Sequence, residues 1–466
     1  MNGPKRRVHF VGIGGIGMSG IAEVLLTLGY SVSGSDVVES ETTRRLERLG
    51  ARLHLGIHDA EHVDESVDVL VISSAVTFSN PEVNRARDLK IPVIPRAEML
   101  AELMRMKQGI AIAGTHGKTT TTSLVGTVLR EAGRDPTVVV GGKLRALGSN
   151  ARLGQGEYLV AEADESDGSF LMLSPIIAVV TNIDPEHLDH FGDMEKVRAA
   201  YLQFIHRVPF YGLAVLCIDN VNVRAMLPHV NKRFVTYGTS PDADWQVREL
   251  RVEELETVFE VWRGDERLGV VRLRMPGRHH ALNALAAIAV ADDLGIPWRL
   301  AAHALEEFGG IHRRFEVRGE ERGILVVDDY GHHPEEIRAT LRAAREGFAR
   351  RLLVAFQPHR YSRTRDLFDD FLGAFDDADL LLLTEIYPAG ETPMAGVTGE
   401  ALYQALKRRG HLDLRWIAGR ERLAHTLVEL VRPGDLVLVL GAGDISRTAD
   451  ELLAMLRAGA PIPQIH

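Results

Sequence analysis

The stretch Gly109-Ile-Ala-Ile-Ala-Gly-Thr-His-Gly-Lys-Thr-Thr-Thr-Thr122 holds the residues best suited to chemistry. An apolar run, Ile110 to Ala113, reads as a buried strand, and the segment from Thr119 to Glu131 reads as a helix. Gly114, Thr115, His116 and Gly117 turn the chain between them, so several backbone N–H groups and the positive end of a helix dipole face one spot. A phosphate suits that spot. Lys118 can reach the outer phosphates of a nucleotide, the Thr119 hydroxyl can hold Mg²⁺, and Thr120 continues the helix start. The loop is shorter than the usual G-x-x-x-x-G-K-[ST], whose first glycine would fall at Ile112. A glycine turn that merely joins strand to helix is the plainer alternative.

Two acidic turns accompany it. Ala161-Glu-Ala-Asp-Glu-Ser-Asp167 brings Glu162, Asp164, Glu165 and Asp167 to the end of a strand. Thr181-Asn-Ile-Asp-Pro-Glu-His-Leu-Asp189 brings Asp184, Glu186, His187 and Asp189 to the end of another. Charge runs usually become solvated surface, and a lone histidine is usually structural. Here both turns end strands beside a phosphate loop, where α/β sheets bind ligands, and Mg²⁺ on a nucleotide needs one or two carboxylates. Further on, His280 and Asn283 are three apart and share a helix face. Arg314, Asp329 and the segment Gln357-Pro-His-Arg-Tyr-Ser-Arg363 follow, with His359, Arg360 and Arg363 able to grip an anion.

Near the start, Gly12-Ile-Gly14-Gly15-Ile16-Gly17 follows a short apolar strand and opens a helix, and Asp36 ends the next strand. This is the fingerprint of a diphosphate at a helix N-terminus, with an acid placed for a ribose. Alone it also allows a nicotinamide-dependent dehydrogenase, which would leave the later phosphate loop and both acidic turns without a use.

These residues must be positioned by alternating strands and helices, an α/β chain in three parts. Residues 1–107 read as a small Rossmann-like domain. Residues 108–314 read as a nucleotide-binding parallel sheet, with a short antiparallel meander where the pattern alternates between Trp245 and Met275. Residues 315–466 read as a third α/β domain with strands at Ile324–Asp328, Leu352–Phe356, Leu380–Thr384, Leu414–Ile417 and Leu436–Leu440.

The 466 residues suit about three domains. A net charge of -10 argues against a nucleic-acid surface. No apolar run approaches the ~18 residues of a membrane span. Lys5-Arg6-Arg7 before an apolar segment resembles a signal peptide, but the glycine turn explains that segment better. Cys217, the single cysteine, lies in an apolar run and fits a reducing, cytoplasmic setting.

In order, G-T-H-G-K-T-T-T-T, A-E-A-D-E-S-D, T-N-I-D-x-x-H-x-D, G-R-H-x-x-L-N, D-D-Y-G-H-H-P and Q-P-H-R-Y-S-R resemble the Mur ligases of bacterial cell-wall synthesis, across all three parts. The opening V-G-I-G-G-I-G-M-S-G-I-A resembles the alanine-adding branch of that family. The resemblance implies an ATP- and Mg²⁺-dependent ligase. It would join L-alanine to the carboxylate of UDP-N-acetylmuramate through an acyl phosphate, as a monomer or weak homodimer. A branch that adds a recycled peptide to the same sugar is the alternative. The implied UDP-sugar residues are Gly12, Gly14, Gly15, Ile16, Gly17 and Asp36. The nucleotide would meet Gly114 to Thr120, Asn283, Arg314 and Asp329. Thr119 and Glu162 would hold one Mg²⁺, and His187 a second. Lys118, His187, Arg314, His359 and Arg360 would serve catalysis, and His359, Arg360 and Arg363 would receive the amino acid and the carboxylate. Two departures matter: His280 stands where the family motif has asparagine, and Tyr201 stands where later ligases place a modified lysine, with Lys196 nearby not equivalent.

Overall fold

The computed structural model describes residues 6–73, 75–77, 79–144, 149–186, 188–410 and 413–463, with backbone alone for residues 16, 141–144, 149–151, 188 and 189. His187 lies outside the described residues, as do the side chains of Ile16 and Asp189.

Three sheets organise the chain. The first holds β1 (Arg7–Val11), β2 (Ser31–Asp36), β3 (Arg52–Leu55), β4 (Val69–Ile72) and β5 (Val93–Pro95), in the order β3-β2-β1-β4-β5. Every pairing in it is parallel. The chain order reverses on either side of β1, the kind of place where such sheets bind ligands beyond their strand ends. The helix Ile16–Thr27 leaves β1 through the glycine turn, and its Gly15 N-cap makes no side-chain cap bond.

The second sheet has ten strands. They are β6 (Gln108–Ala113), β7 (Thr137–Leu144), β8 (Ser149–Arg152), β9 (Tyr158–Glu162), β10 (Ile177–Val180), β11 (Leu213–Cys217), β12 (Phe234–Gly238), β13 (Trp245–Glu253), β14 (Glu256–Arg263) and β15 (Glu266–Leu273). Their order is β15-β14-β13-β12-β11-β10-β6-β9-β7-β8. The inner strands β6, β9, β10 and β11 are buried on both faces and read as continuous apolar runs, as a parallel sheet covered by helices requires. The two-residue connections within β13–β15 make hairpins, the expected meander. β8 is an antiparallel edge.

The third sheet holds β16 (Glu316–Glu321), β17 (Ile324–Asp329), β18 (Leu352–Phe356), β19 (Leu380–Leu383), β20 (Leu414–Trp416) and β21 (Leu436–Leu440), ordered β16-β17-β21-β18-β19-β20. It is parallel except for β16, which pairs antiparallel with β17.

By internal contacts the chain forms two compact units. One comprises residues 1–248, 260–271 and 282–309; the other comprises 249–259, 272–281 and 310–466. In the first unit, Phe10 and Leu25 of the first sheet's layer share one apolar core with Ala111, Val180, Phe204 and Leu216 of the second. The second unit has a core on each face of its sheet: Leu325, Val327 and Val354 face one side, Val326, Leu353 and Ala355 the other. This alternation follows the period of two along a strand.

Candidate active site

Within the first unit the phosphate loop is set by its neighbours in β10's turn. Gly114 has φ +140, and a Cβ there would lie 2.0 Å from Thr181 Oγ1. Asn182 braces the loop. Its carbonyl accepts from Thr115 N at 3.1 Å, its Oδ1 accepts from His116 N at 2.7 Å, and its Nδ2 donates to His116 O at 3.0 Å. Asp184 N donates to Thr115 Oγ1 at 2.9 Å, and the Asp184 carboxylate lies 3.6 Å from His116 Nε2. Gly117 is left-handed, φ +84, and caps the helix Lys118–Glu131 without a side chain. The first N–H groups of that helix therefore have no side-chain acceptor at the cap, which suits an anion. Asn283, almost fully buried, closes over the loop: a Cβ on Gly117 would sit 2.7 Å from its Oδ1. The expected proximity of Asn283 to the loop is thus a feature of the fold.

Lys118 is folded back onto its own loop. Its Nζ donates to Gly114 O at 2.5 Å, to Thr115 O at 3.2 Å and to Glu165 Oε1 at 2.8 Å. Burial works against its charge, but Glu165, with Asp164 and Glu186 adding to it, outweighs burial and keeps the ammonium above its ordinary range. Burial pushes the Glu165 carboxyl up to about 7, while Lys118 pulls the other way. Glu165 was one of four carboxylates in an acidic turn by sequence, with no role distinguishing it; only the fold shows that it holds the lysine. Thr120 is buried in the helix start, and Thr119 O accepts from Ser123 Oγ at 2.6 Å.

Glu162 ends β9 and lines a cleft with Arg96, Leu100, Asp164, Ser169 and Phe170. Arg96 pairs with Asp164 at 3.2 Å and also covers Gly17, where a Cβ would lie 2.1 Å from its Nη1. Arg96, which falls on none of the motifs in the sequence, thus bridges the glycine turn and the acidic turn. No group of three or more His, Cys, Asp or Glu among the described residues forms a metal cage. Mg²⁺ on a nucleotide does not need one, because phosphates and water can fill most of its shell; the Glu162 carboxylate and the Thr119 hydroxyl are hard oxygen donors of the kind it takes. The donor set fits the ion.

At the first glycine turn, Gly12 has φ +79, and Gly12 N and Ile13 N donate to Ser35 O at 2.8 and 3.0 Å. Gly15 N donates to Gly12 O at 3.1 Å. Asp36 faces the turn, its Oδ2 accepting from Gly14 N at 2.8 Å. Gly14 and Gly17 are both positions where a side chain would collide, with Asp36 and Arg96 respectively.

Tyr201 is fully buried, edge-on to Phe170 at 5.3 Å between ring centres, and burial raises its hydroxyl well above the ordinary range. It is a core residue.

In the second unit, Arg314, Asp329, His359, Arg360 and Arg363 surround the ends of β17 and β18. Asp329 is buried, and its carboxylate accepts from Phe315 N and Gly331 N, each at 2.7 Å. It organises the turn that carries Tyr330 to His333. Arg314 lies over the Tyr330 ring at 5.4 Å and 3.5 Å from Glu336. The His359 ring stacks parallel on Tyr387 at 5.6 Å and lies 5.6 Å from the His332 ring, and Arg363 approaches His359 Nδ1 at 3.4 Å. Burial, with His332 and Arg363 adding to it, brings His359 down to about 3, so the ring is neutral. Arg360 has φ +71 and ψ 138, strained for any residue but glycine, and its N–H donates to Tyr387 O at 2.9 Å. Strain of this kind persists where the surroundings over-determine it, commonly at binding sites. Tyr387 is a member of this group that no motif marks, whereas His332 stands in the D-D-Y-G-H-H-P segment with no role assigned to it by sequence. His280 is buried and uncharged: burial, then His279 beside it, lowers it well below its usual range.

Comparison with known proteins divides the chain into three. Residues 7–108 match the family described as "Mur ligase family, catalytic domain", residues 112–291 "Mur ligase middle domain", and residues 313–443 "Mur ligase, glutamate ligase domain". The chain is 58% identical over 459 residues to a UDP-N-acetylmuramate–L-alanine ligase of Geobacter sp. (strain M21), covering 98% of this chain and 99% of that protein. It is 59% identical over 452 residues to the ligase of the same name in Anaeromyxobacter sp. (strain Fw109-5), covering 97% and 98%. Among solved structures, the UDP-N-acetylmuramate-alanine ligase MurC of Thermotoga maritima superposes with a TM-score of 0.81 at 31% identity, over 97% of this chain and 99% of that one.

Proposed function

The chain belongs to the Mur ligase family, and we propose from that premise that it is an ATP-dependent ligase joining L-alanine to the carboxylate of UDP-N-acetylmuramate in peptidoglycan precursor synthesis. The geometric observation that carries this reading is the braced loop Gly114–Lys118, with Lys118 between the loop carbonyls and Glu165.

A carboxylate does not accept an amine directly in water. Transfer of the γ-phosphoryl group from ATP to the muramate carboxylate gives an acyl phosphate and ADP. The amine of L-alanine then attacks the acyl carbon, the amide forms, phosphate leaves, and the ammonium-derived protons pass to base. Lys118 turns from Glu165 to the outer phosphates and offsets charge where the phosphoryl group moves. The amides of Gly114 to Lys118 hold the phosphates, and Asn283 and Arg314 contact the nucleotide, with Asp329 fixing the turn behind Arg314. Thr119 and Glu162 would hold one Mg²⁺, and His187 a second. Bound there, Mg²⁺ supplies charge neutralisation and Lewis-acid polarisation of phosphate oxygens. Gly12, Gly14, Gly15, Ile16 and Gly17 hold the UDP diphosphate, and Asp36 the ribose side. The neutral His359, with Arg360 and Arg363, receives the amino acid and the carboxylate. In this reading residues 1–107, 108–314 and 315–466 are the UDP-sugar, ATP and amino-acid parts. The enzyme acts in the cytoplasm as a monomer or weak homodimer; no described helix is long and apolar enough to cross a membrane.

The test is phosphate release from ATP and Mg²⁺ with UDP-N-acetylmuramate and each amino acid in turn. Release that requires both the UDP-sugar and L-alanine is expected. Release only with a peptide would assign the chain to peptide recycling, and the absence of release with any acceptor would refute ligation.

A further inference from the structure

Adjoining the first glycine turn is a polar cluster that none of these roles uses. Glu82, near the start of the helix Pro81–Asp88, is fully buried. Its Oε2 accepts from Ser35 Oγ and lies against His9 Nε2, both at 2.8 Å. Its Oε1 meets His58 Nδ1 at 2.8 Å and His62 Nδ1 at 3.3 Å. The other ring nitrogen of His9 lies 2.8 Å from Ser33 Oγ, and the His54 ring stacks on His62 at 4.2 Å. One carboxylate thus gathers β1, β2, the segment after β3 and a helix, from residues up to 73 positions apart.

Burial alone would raise the Glu82 carboxyl, but the bonds from His9, His58 and Ser35 outweigh it and hold it at about 2. The group is therefore ionised at any working pH. The start of its helix also favours negative charge. Stability does not require such a group, because a buried ionic cluster can often be replaced by apolar side chains of similar volume without loss. What an apolar replacement could not do is orient a neighbour. The neighbour is Ser35. Its hydroxyl is bound to Glu82, and its carbonyl receives the N–H groups of Gly12 and Ile13 at 2.8 and 3.0 Å. The next residue, Asp36, receives Gly14 N.

We infer that Glu82 is a positioning residue for the UDP-sugar: acting through Ser35, it fixes the Gly12–Ile13 amides and so the register of the anion-binding turn. This rests on the proposed role of that turn.

The experiment uses the full-length enzyme and the variants Glu82→Gln, Glu82→Leu and Ser35→Ala. It reads the Kd for UDP-N-acetylmuramate by calorimetry, KM for each of the three substrates, kcat and the melting temperature. By analogy with groups that orient a ligand's direct partners, Glu82→Gln and Ser35→Ala are expected to raise Kd and KM for the UDP-sugar by about tenfold. The kcat at saturation, and KM for ATP and L-alanine, are expected to stay within about twofold. Glu82→Leu leaves His9 and Ser35 buried without their carboxylate and is expected to melt below Glu82→Gln, so a selective loss of UDP-sugar affinity in Glu82→Gln and Ser35→Ala, with both melting near the wild type, is the result that a purely structural role would not produce. Unchanged UDP-sugar affinity in folded Glu82→Gln and Ser35→Ala overturns the inference, as does a parallel rise in all three KM values. If the Glu82 variants fail to fold, Ser35→Ala alone decides. Wild-type enzyme that does not bind UDP-N-acetylmuramate would instead overturn the reading of the turn itself.

Discussion

Lys118 places its charge against its own loop and Glu165, partners it would exchange for nucleotide phosphates in the proposed reaction. Lys118→Ala should lower kcat/KM by at least about a hundredfold, the scale of losing one preorganised charge at a reacting group. The fold should persist but melt somewhat lower, since buried Glu165 and two loop carbonyls lose their ammonium. Phosphate release and a thermal melt check both halves; near-normal turnover would remove the loop from catalysis. His359 makes a prediction about pH. Its folded value, about 3, lies below the ordinary 6.5, so the unfolded chain binds the extra proton between those values. Stability from this group is complete above about 6.5 and falls as pH drops. The melting temperature of His359→Asn should therefore decline less than that of the wild type between pH 6.5 and 5. Equal slopes would show that the ring is not held neutral. Much of this residue scale was legible beforehand: Lys118, Glu162, Asn283, His359 and Arg363 all stand on motifs of fixed spacing. Glu82 and Arg96 were not, because their partners lie 73 and 68 positions away and neither spacing nor periodicity reports a long-range bond.

The elements that carry the site are strands ending in glycine turns, and the turn at Gly117 bears a direct test. An alanine there would need a left-handed backbone, at a cost of about 1–2 kcal/mol, and its Cβ would press on Asn283 Oδ1. Gly117→Ala should raise KM for ATP about tenfold or more while leaving KM for the UDP-sugar alone; an unchanged KM for ATP would mean that the loop adapts. The same scale shows which strands a sequence announces. β6, β10, β11 and β21 are apolar runs buried on both faces, and their composition declares them. β3, β8 and β16 were absent from the sequence reading. Each is an edge strand of its sheet or pairs only at one side, and their sequences RLHL, SNAR and EVRGEE show no clean apolar alternation. Polar edges protect a sheet from pairing with other chains, and the same polarity hides the strand.

For the whole molecule, reading the periodic elements led to three α/β parts, and three sheets are present. Cohesion is divided differently. Residues from the first two sheets contribute to one core, whereas the third sheet carries its own core on each face. A heat-capacity scan should therefore show two unfolding events rather than three. A fragment ending at residue 107 should not fold, because Phe10, Leu25 and Met104 would lose partners such as Ala111 and Ala161 and expose an apolar face to water. Three resolved transitions, or a cooperatively melting 1–107 fragment, would contradict this. Periodicity locates a core face, but it does not say which layer that face will meet; two segments with equally good apolar stripes look alike whether they pack together or apart.

That common core also constrains how such an enzyme can be recombined. A donor first sheet, the proposed sugar end, grafted from a relative that takes a different sugar nucleotide, would arrive with half of an interior matched to another host. The seam would have to be redesigned or inherited whole. The part proposed to receive the incoming amine is the freer cassette. Even so, its boundary is not a single cut near Gly310, since residues 249–259 and 272–281 belong with it. Exchange of acceptor preference by transplanting 310–466 alone would leave those short pieces behind as mismatched host sequence, and they are the first residues to convert along with it.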